Sequence, residues 1–501
     1  MTPTNPLQPL DEHNQRLLGG VHPPDWVNPE PKPKYHLVVI GGGTAGLVSA
    51  AAAAGLGASV ALVERQLLGG DCLNFGCVPS KAILRAARAA ADVRRAHEFG
   101  IERAGEARVN FAAVMERMRR LRADISPNDS AQRFRDLGVD VFFGNAKFIG
   151  PDRALVGDRT LHFRRAIIAT GTRPTVPSIP GLAEAGFATN ESVFSMTALP
   201  SRLAVIGAGP IGCELAQAFA RFGSRVTLIG NHEQILPRED PDASALVAVA
   251  LKRDGIDLIL SSTATRIEGG SLVVQQPTQS RRVDFDAILV AAGRSPNVEN
   301  LGLDAAGVIF DVKAGVHVSD RLQTTNSRIF AAGDVCSRFK FTHAADAYAR
   351  IAVKNALFYG RAKASALAIP WCTYTDPEIA HVGVSENEAR EKGIAIETFA
   401  QPFGHVDRAI LDGEAGGFVK IHVAAGTDRI VGASIVGRHA GEMIGTVALA
   451  MTGKLGLKTL AQAVLPYPTH GEALKRIGDA YNRTRLTPTV RWLFEVWFRW
   501  T

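Results

Sequence analysis

Cysteine is scarce in this chain: five in 501 residues, at positions 72, 77, 213, 336 and 372. So few rule out a secreted scaffold whose small core is stapled by many bridges. The amino terminus has no Cys-x-x-Cys metal-carrier motif, and no cysteine follows Cys372. Charge of one sign is also thin. The net +7 is spread along the chain apart from one cluster at Arg117, Arg119, Arg120 and Arg122. No recognition motif accompanies that cluster, so it reads as a solvated helix face and nucleic acid is excluded as a partner. The first 34 residues hold eight prolines and no apolar run. They are therefore not a signal peptide, and an extended, mobile arm is expected over 1–34. A reducing, cytoplasmic location suits so small a cysteine count.

The one long uncharged run, 27 residues from Leu37 to Val63, is long enough to cross a membrane. Six glycines interrupt it where a strand, a turn, a helix and a second strand would bend, and a parallel strand covered on both faces is expected to be this apolar. The run holds Gly41, Gly43 and Gly46 in the G-x-G-x-x-G pattern after a β-branched strand, with Glu64 18 residues beyond the last glycine. The glycines let a backbone approach a pyrophosphate at a helix N-terminus, and the acid can accept from an adenosine ribose. The device recurs 166 residues later as Gly207, Gly209 and Gly212, between strands Leu203–Ile206 and Arg225–Ile229. The same shift carries Glu64 onto Gly230. The second turn therefore lacks the ribose-binding acid, while His232 and Arg238 lie just beyond it. That combination favours a 2′-phosphate, hence NADPH over NADH.

Between the two turns stands Gly69-Gly70-Asp71-Cys72-Leu73-Asn74-Phe75-Gly76-Cys77-Val78-Pro79-Ser80-Lys81, opening a run from Ala82 to Arg95 that reads as a helix. Five residues of straight helix rise about 7.5 Å, whereas a disulfide holds its Cα atoms within roughly 4.4–6.8 Å. A bridge between Cys72 and Cys77 would need a bent first turn, and Gly76 and Pro79 are residues that bend helices. A bridge so placed would be readily reduced, because a helix N-terminus stabilises the emerging thiolate. Spacing alone leaves open the plainer reading of two buried structural cysteines. Position beside a dinucleotide fingerprint, and before Pro-Ser-Lys, favours a redox pair.

With these residues in view, the chain resembles the pyridine nucleotide-disulfide oxidoreductases from about Tyr35 to Asn482. Further segments match in family order. Ala166-Ile-Ile-Ala-Thr170-Gly171-Thr-Arg173-Pro174 and Asp286-Ala-Ile-Leu-Val-Ala-Ala-Gly293-Arg294-Ser-Pro-Asn297 are similar to the two crossings between nucleotide domains. Thr325 to Asp334 is similar to a second flavin contact, and Trp371 to Gly383 to the start of a dimer-forming domain. The resemblance implies an α/β architecture with two doubly wound FAD and NAD(P) domains plus an α+β dimerisation domain. The expected boundaries are 35–160 and 286–360 for FAD, 161–285 for NAD(P), 361–482 for the dimer interface and 483–501 for a separate aromatic tail. It implies electrons passing from reduced nicotinamide through FAD to a Cys72–Cys77 disulfide. Cys77 would be the thiolate beside the flavin and Cys72 the thiol meeting substrate. Lys81 and Glu214 would pair near the ring, and Gly70, Thr170, Gly171, Gly293 and Asp334 would contact cofactor. A homodimer with shared active sites follows as well.

Two departures narrow the acceptor. Asp71 stands where the family has threonine, and its charge is expected to disfavour a Cys72 thiolate. Thiol-handling relatives carry His-Pro-Thr-x-x-Glu near the end, but here the register from Glu472 places Tyr467 at the histidine position. Tyrosine, with a reference pKa near 10, is a poor proton shuttle at neutral pH. Tyr467-Pro-Thr-His470-Gly-Glu472-Ala-Leu-Lys475 instead resembles the mercuric-reductase branch, with His470 as the other acid–base candidate. The expected acceptor is thus a metal ion or another small acceptor. Dihydrolipoamide oxidation is the alternative activity, and a membrane-surface redox sensor is the alternative of another class. The latter rests on the tail, where Trp492, Trp497 and Trp500 alternate with Arg491, Glu495 and Arg499 at helical spacing. Such a helix packs on protein or lies at a membrane surface.

Overall fold

The proline-rich start is folded rather than an extended, mobile arm. In the computed structural model, which describes residues 7–102, 105 and 108–501, helix α1 (Glu12–Val21) is capped by Asp11, whose side chain accepts from the Asn14 amide. It buries Asn14, Leu17 and Val21. The arginine cluster supplies the reason. Arg119 donates to Asp11 at 2.5 Å, and Arg122 donates to the Asn14 side chain at 2.7 Å and the Asn74 carbonyl at 2.6 Å. Arg119 and Arg122 are both buried, so that face of the cluster is a structural clamp and not a solvated surface. Residues 1–6 of the expected arm lie outside the described residues.

The chain forms two compact units, one running to Ile229 and adding Thr263–Leu367, the other Gly230–Ser262 with Ala368–Thr501. In the first unit the uncharged run becomes strand β1 (Tyr35–Ile40), helix α2 (Thr44–Gly55) and strand β2 (Val60–Glu64). Leu37, Val38 and Val39 are fully buried, each such aliphatic contributing roughly 1.5–3 kcal/mol. Strand β1 lies between β2 and Arg159–Ile168, all parallel. Val139–Phe143 extends the sheet beside β2 and Ile329–Ala331 beside Arg159–Ile168, again in parallel. The fingerprint turn is therefore at the carboxyl end of a central strand, where open α/β sheets place ligands. The second turn follows the same plan, with Arg202–Ile206 parallel to Arg225–Ile229 on one side and Ala287–Val290 on the other.

The second unit is built on an antiparallel sheet in the order Pro370–Thr373, Glu378–Gly383, Ile430–Gly437, Phe418–Ala424, Ile396–Pro402. Its core is shared with helices Ala440–Thr452 and Glu472–Thr484, through Val447, Leu474 and Ile477 among others. The expected α/β class with an α+β third domain is what the chain adopts. Its last helix, Pro488–Phe498, buries none of its residues; Trp492, Trp497 and Trp500 are all exposed. Among the described residues no helix is long and apolar enough to cross a membrane.

Candidate active site

The expected helix from Ala82 is longer and is broken once. Helix α3 (Gly70–Phe75) ends and α4 (Cys77–Arg94) begins at Gly76, so the two cysteines lie on either side of a kink. Gly76 has φ −134° and ψ −113°, and a Cβ there would stand 2.8 Å from the Asp71 carbonyl oxygen. The Asn74 side chain, fully buried, ties the turn together by donating to the carbonyls of Leu68 at 3.0 Å and Gly70 at 2.8 Å. Asn190 grips both ends of α3, donating to the Asp71 carboxylate at 3.1 Å and the Phe75 carbonyl at 3.2 Å.

Cys72 and Cys77 are free thiols in the structure, Cys77 exposed and Cys72 partly so. Their sulfurs hydrogen-bond to each other, and this splits their acidities. That bond lowers Cys77 to about 6, with Thr342 and the positive charge of Lys81 acting in the same direction against burial. The Cys72 thiol is pushed up, first by the same hydrogen bond and then by burial, with Asp129 adding to the rise. The Thr342 hydroxyl lies 3.3 Å from the Cys77 sulfur and opens helix Thr342–Phe358, so Cys77 sits at two helix N-termini, both favouring an anion. These contacts favour a thiolate on Cys77 over one on Cys72.

The Cys72 thiolate is disfavoured, as expected, with Cys77, burial and Asp129 as the causes, and Asp71 is itself paired. Its carboxylate is turned to Arg294 at 2.9 Å, and the charge it exerts falls on Cys77. Arg294 also donates to the Thr172 hydroxyl at 2.8 Å, and Thr172 donates to Asp334 at 3.1 Å. A polar chain thus links the redox turn to the residue expected to hold the ribityl group. Burial raises the Asp334 carboxyl above its usual range. Lys81 and Glu214 meet at 2.9 Å, with the Glu214 side chain nearly buried. Thr170 and Asn297 exchange hydrogen bonds at 2.7 and 2.8 Å. Gly171 and Gly293 both have positive φ, 64° and 114°. Gly70 begins α3 against the backbone of Gly43, where a Cβ would come within 2.6 Å of its Cα.

Both glycine turns fit a dinucleotide. Gly43 and Gly209 cap helices beginning at Thr44 and Pro210 without a side-chain hydrogen bond. The first-turn amides are left for a phosphate. No atom lies within 4 Å of a Cβ built on Gly209, and at Gly43 the nearest is Gly70 Cα at 3.8 Å. Glu64 is buried and fixed by the amides of Gly42 at 2.6 Å and Gln66 at 2.7 Å. His232 and Arg238, in the second unit, are both exposed.

The carboxyl-terminal loop separates its two candidates. Tyr467 is 70% exposed and donates to Asp407 at 2.8 Å, a contact that raises the phenol above its ordinary value. His470 is buried, packed against Phe403 and His439, and lowered by burial and by the second imidazole. Glu472 is engaged by Arg476 at 2.8 Å. Only Tyr467 of the pair is presented to solvent. Sequence reading missed Thr342, Asn190 and Asp129, whose positions 265, 119 and 57 residues from their targets leave no local signal. Arg294 lay within a quoted motif, but nothing in its spacing pointed to Asp71.

Known proteins are similar to this chain along most of its length. Residues 35–349 match the pyridine nucleotide-disulphide oxidoreductase family, and 369–477 match the dimerisation domain of the same family. A mercuric reductase of Staphylococcus aureus is 35% identical over 453 residues, covering 90% of this chain and 83% of that protein. A dihydrolipoyl dehydrogenase of Mycoplasma pneumoniae is 32% identical, covering 88% and 97%. Among solved structures, the HOCl-induced flavoprotein disulfide reductase RclA from Escherichia coli superposes with a TM-score of 0.78 at 29% identity, covering 89% and 99%. Its Cu(II) complex superposes at 0.79.

Proposed function

Because the chain belongs to the pyridine nucleotide-disulphide oxidoreductases, we propose that it is an NADPH-preferring reductase that passes electrons through a Cys72–Cys77 disulfide to a soft metal ion. Its place among flavoprotein oxidoreductases that use FAD and NAD(P)H follows from the family, and the dimerisation domain supports a homodimer. When bound, FAD supplies the two-electron link between nicotinamide and sulfur. The chain's residues do the rest. Reduction breaks the S–S bond, leaving a thiolate on Cys77 and a proton on Cys72. Lys81, Thr342 and two helix N-termini hold the negative charge. The Cys72 proton leaves when a thiophilic cation takes its place, since thiolates, not thiols, ligate soft metals.

One observation carries the choice of acceptor: the exposed residue of the terminal loop is Tyr467, while His470 is buried. A thiol–disulfide substrate needs a proton shuttle near neutral pH, and a phenol raised by Asp407 does not supply one. Metal capture needs only the two sulfurs. The mercuric reductases and the Cu(II) complex of RclA among the similar proteins support the same class. Steady-state assay of the holoenzyme tests the reading. NADPH oxidation is expected to depend on Hg(II) in excess thiol and to vanish in Cys72→Ser, with no NADH formed from dihydrolipoamide and NAD. Rapid dihydrolipoamide oxidation with no Hg(II)-dependent NADPH consumption would sink it.

A further inference from the structure

In the second unit, away from the redox residues in sequence, a buried imidazole and a buried carboxylate face one another with no hydrogen bond between them. His422, on strand Phe418–Ala424, is fully buried, and Asp240 is 1% exposed. Among the described residues neither Asp240 oxygen nor His422 Nε2 has a hydrogen-bond partner. His422 Nε2 stands 4.0 Å from Asp240 Oδ2. The other ring nitrogen is held by the Thr398 hydroxyl at 2.9 Å, which fixes the ring and directs Nε2 inward. Glu386 is the third member; its side chain is 39% exposed and gives the cluster a face toward solvent. One donor atom from each of the three lies within 4.8 Å of the others.

Burying polar groups without partners is costly, and proteins that do so commonly have an occupant for the space between them. Here the occupant on the page is Lys420. Its ammonium sits 2.7 Å from Asp242, 3.3 Å from Glu386 and 3.6 Å from Asp240. Three carboxylates surround that one ammonium, so the cluster retains excess negative charge. Lys420 bonds best to Asp242, the most exposed of the three, and leaves the His422–Asp240 side unfilled by any hydrogen bond. The Lys420 ammonium makes no hydrogen bond to His422 Nε2, and an imidazole lone pair beside a carboxylate is a donor pair that a Lewis acid can take.

We propose that Asp240, Glu386 and His422 form a binding site for a divalent transition-metal ion of borderline hardness, such as Zn(II), with the Lys420 ammonium as its competitor. One imidazole and two carboxylates are a donor set such ions accept, and Thr398 provides the outer hydrogen bond that orients a ligating histidine. Zn–N and Zn–O distances near 2.0–2.2 Å require the three side chains to close by about 1 Å each, within reach of the half-exposed Glu386. On metal entry the Lys420 head moves toward Asp242. The site is independent of the redox reading and would stand if the acceptor proved to be something else.

Equilibrium dialysis of Zn(II) against the oxidised holoenzyme, in which Cys72 and Cys77 are disulfide-bonded and cannot compete, tests this directly. Wild type is expected to hold one equivalent per chain more than His422→Gln, and Glu386→Gln to weaken that equivalent at least tenfold. Lys420→Met should tighten it, an effect no purely structural ion pair would give. Glu386 is partly exposed, so its variant keeps the test alive should the buried ones fail to fold. Equal Zn(II) uptake by wild type and Glu386→Gln, or no uptake by either, overturns the proposal.

Discussion

The two glycine-rich turns, one after β1 and one after strand Arg202–Ile206, share a backbone geometry and part company in the groups set around it. Gly41 and Gly207 have φ of 108° and 117°. A Cβ on either would stand 2.3 Å from a carbonyl oxygen, of Ala169 in one and of Ala291 in the other. Gly46 and Gly212 press on the carbonyls of Gly41 and Gly207, at 1.7 and 1.9 Å from a would-be Cβ. The second glycine of each set meets nothing closer than 3.8 Å. The first and third glycines are thus required by the fold, whereas the second leaves open space beside its turn. Only the first turn has a buried acid bound to its own backbone, and only the first leads into a cysteine pair. The shared backbone geometry makes both turns candidate nucleotide sites, and the groups set around them differ in charge.

Changing the third glycine should have the largest effect and should separate the turns. Gly46→Ala drives a methyl into the Gly41 carbonyl, which has no flexible side chain to yield, and a displaced backbone of this kind costs about 4 kcal/mol or more. Against a typical total of roughly 5–15 kcal/mol, Gly46→Ala is expected to yield little soluble, flavin-loaded protein. Gly212→Ala makes the equivalent clash in the second turn. It should retain FAD, read from the flavin absorbance after gel filtration, while losing NADPH-dependent reduction of that flavin. Equal FAD loss in both variants would show that the turns do not divide the cofactors as proposed.

A smaller and cleaner contrast lies at the second glycine. Gly209 has φ −82° and ψ −174°, extended backbone that alanine adopts, with open space where its methyl would go. Gly209→Ala should therefore melt within about 1 kcal/mol of wild type, yet raise the KM for NADPH by roughly 10–100-fold as the methyl takes up space a pyrophosphate needs. Unchanged KM alongside unchanged stability would mean that the nucleotide does not approach this turn.

The contrast also marks what could be read before any coordinates. Strands and glycine turns were legible because hydrophobic runs and φ requirements are local. The paired turns, the β1–α2–β2 unit and the break near Gly76 all stand where sequence put them. Contacts joining distant segments were not legible. Thr342 on Cys77, Asn190 on α3 and Arg294 on Asp71 each depend on how the sheet brings far segments together. The amino-terminal arm was misread for a related reason. Its proline content suggested an extended chain, but Asp11 and Asn14 are partners for Arg119 and Arg122, more than a hundred residues away. A charged cluster looks like surface until its partners are known.

The smallest expected effect tests the charge difference itself. Glu64 in the first turn corresponds through the 166-residue repeat to Gly230 in the second. If the missing acid is what admits a 2′-phosphate, restoring it in Gly230→Glu places a carboxylate near that dianion. Screened repulsion at such a range is worth about 1.4 kcal/mol, roughly tenfold in affinity. NADH carries a hydroxyl at the same position, which a carboxylate can accept from, so it should gain slightly or stay level. The ratio of kcat/KM for NADPH over NADH is therefore expected to fall about tenfold, and more steeply at low ionic strength. Backbone damage would depress both nucleotides together and leave the ratio unmoved. A ratio unchanged at every salt concentration would mean that the absent acid does not set the nucleotide preference.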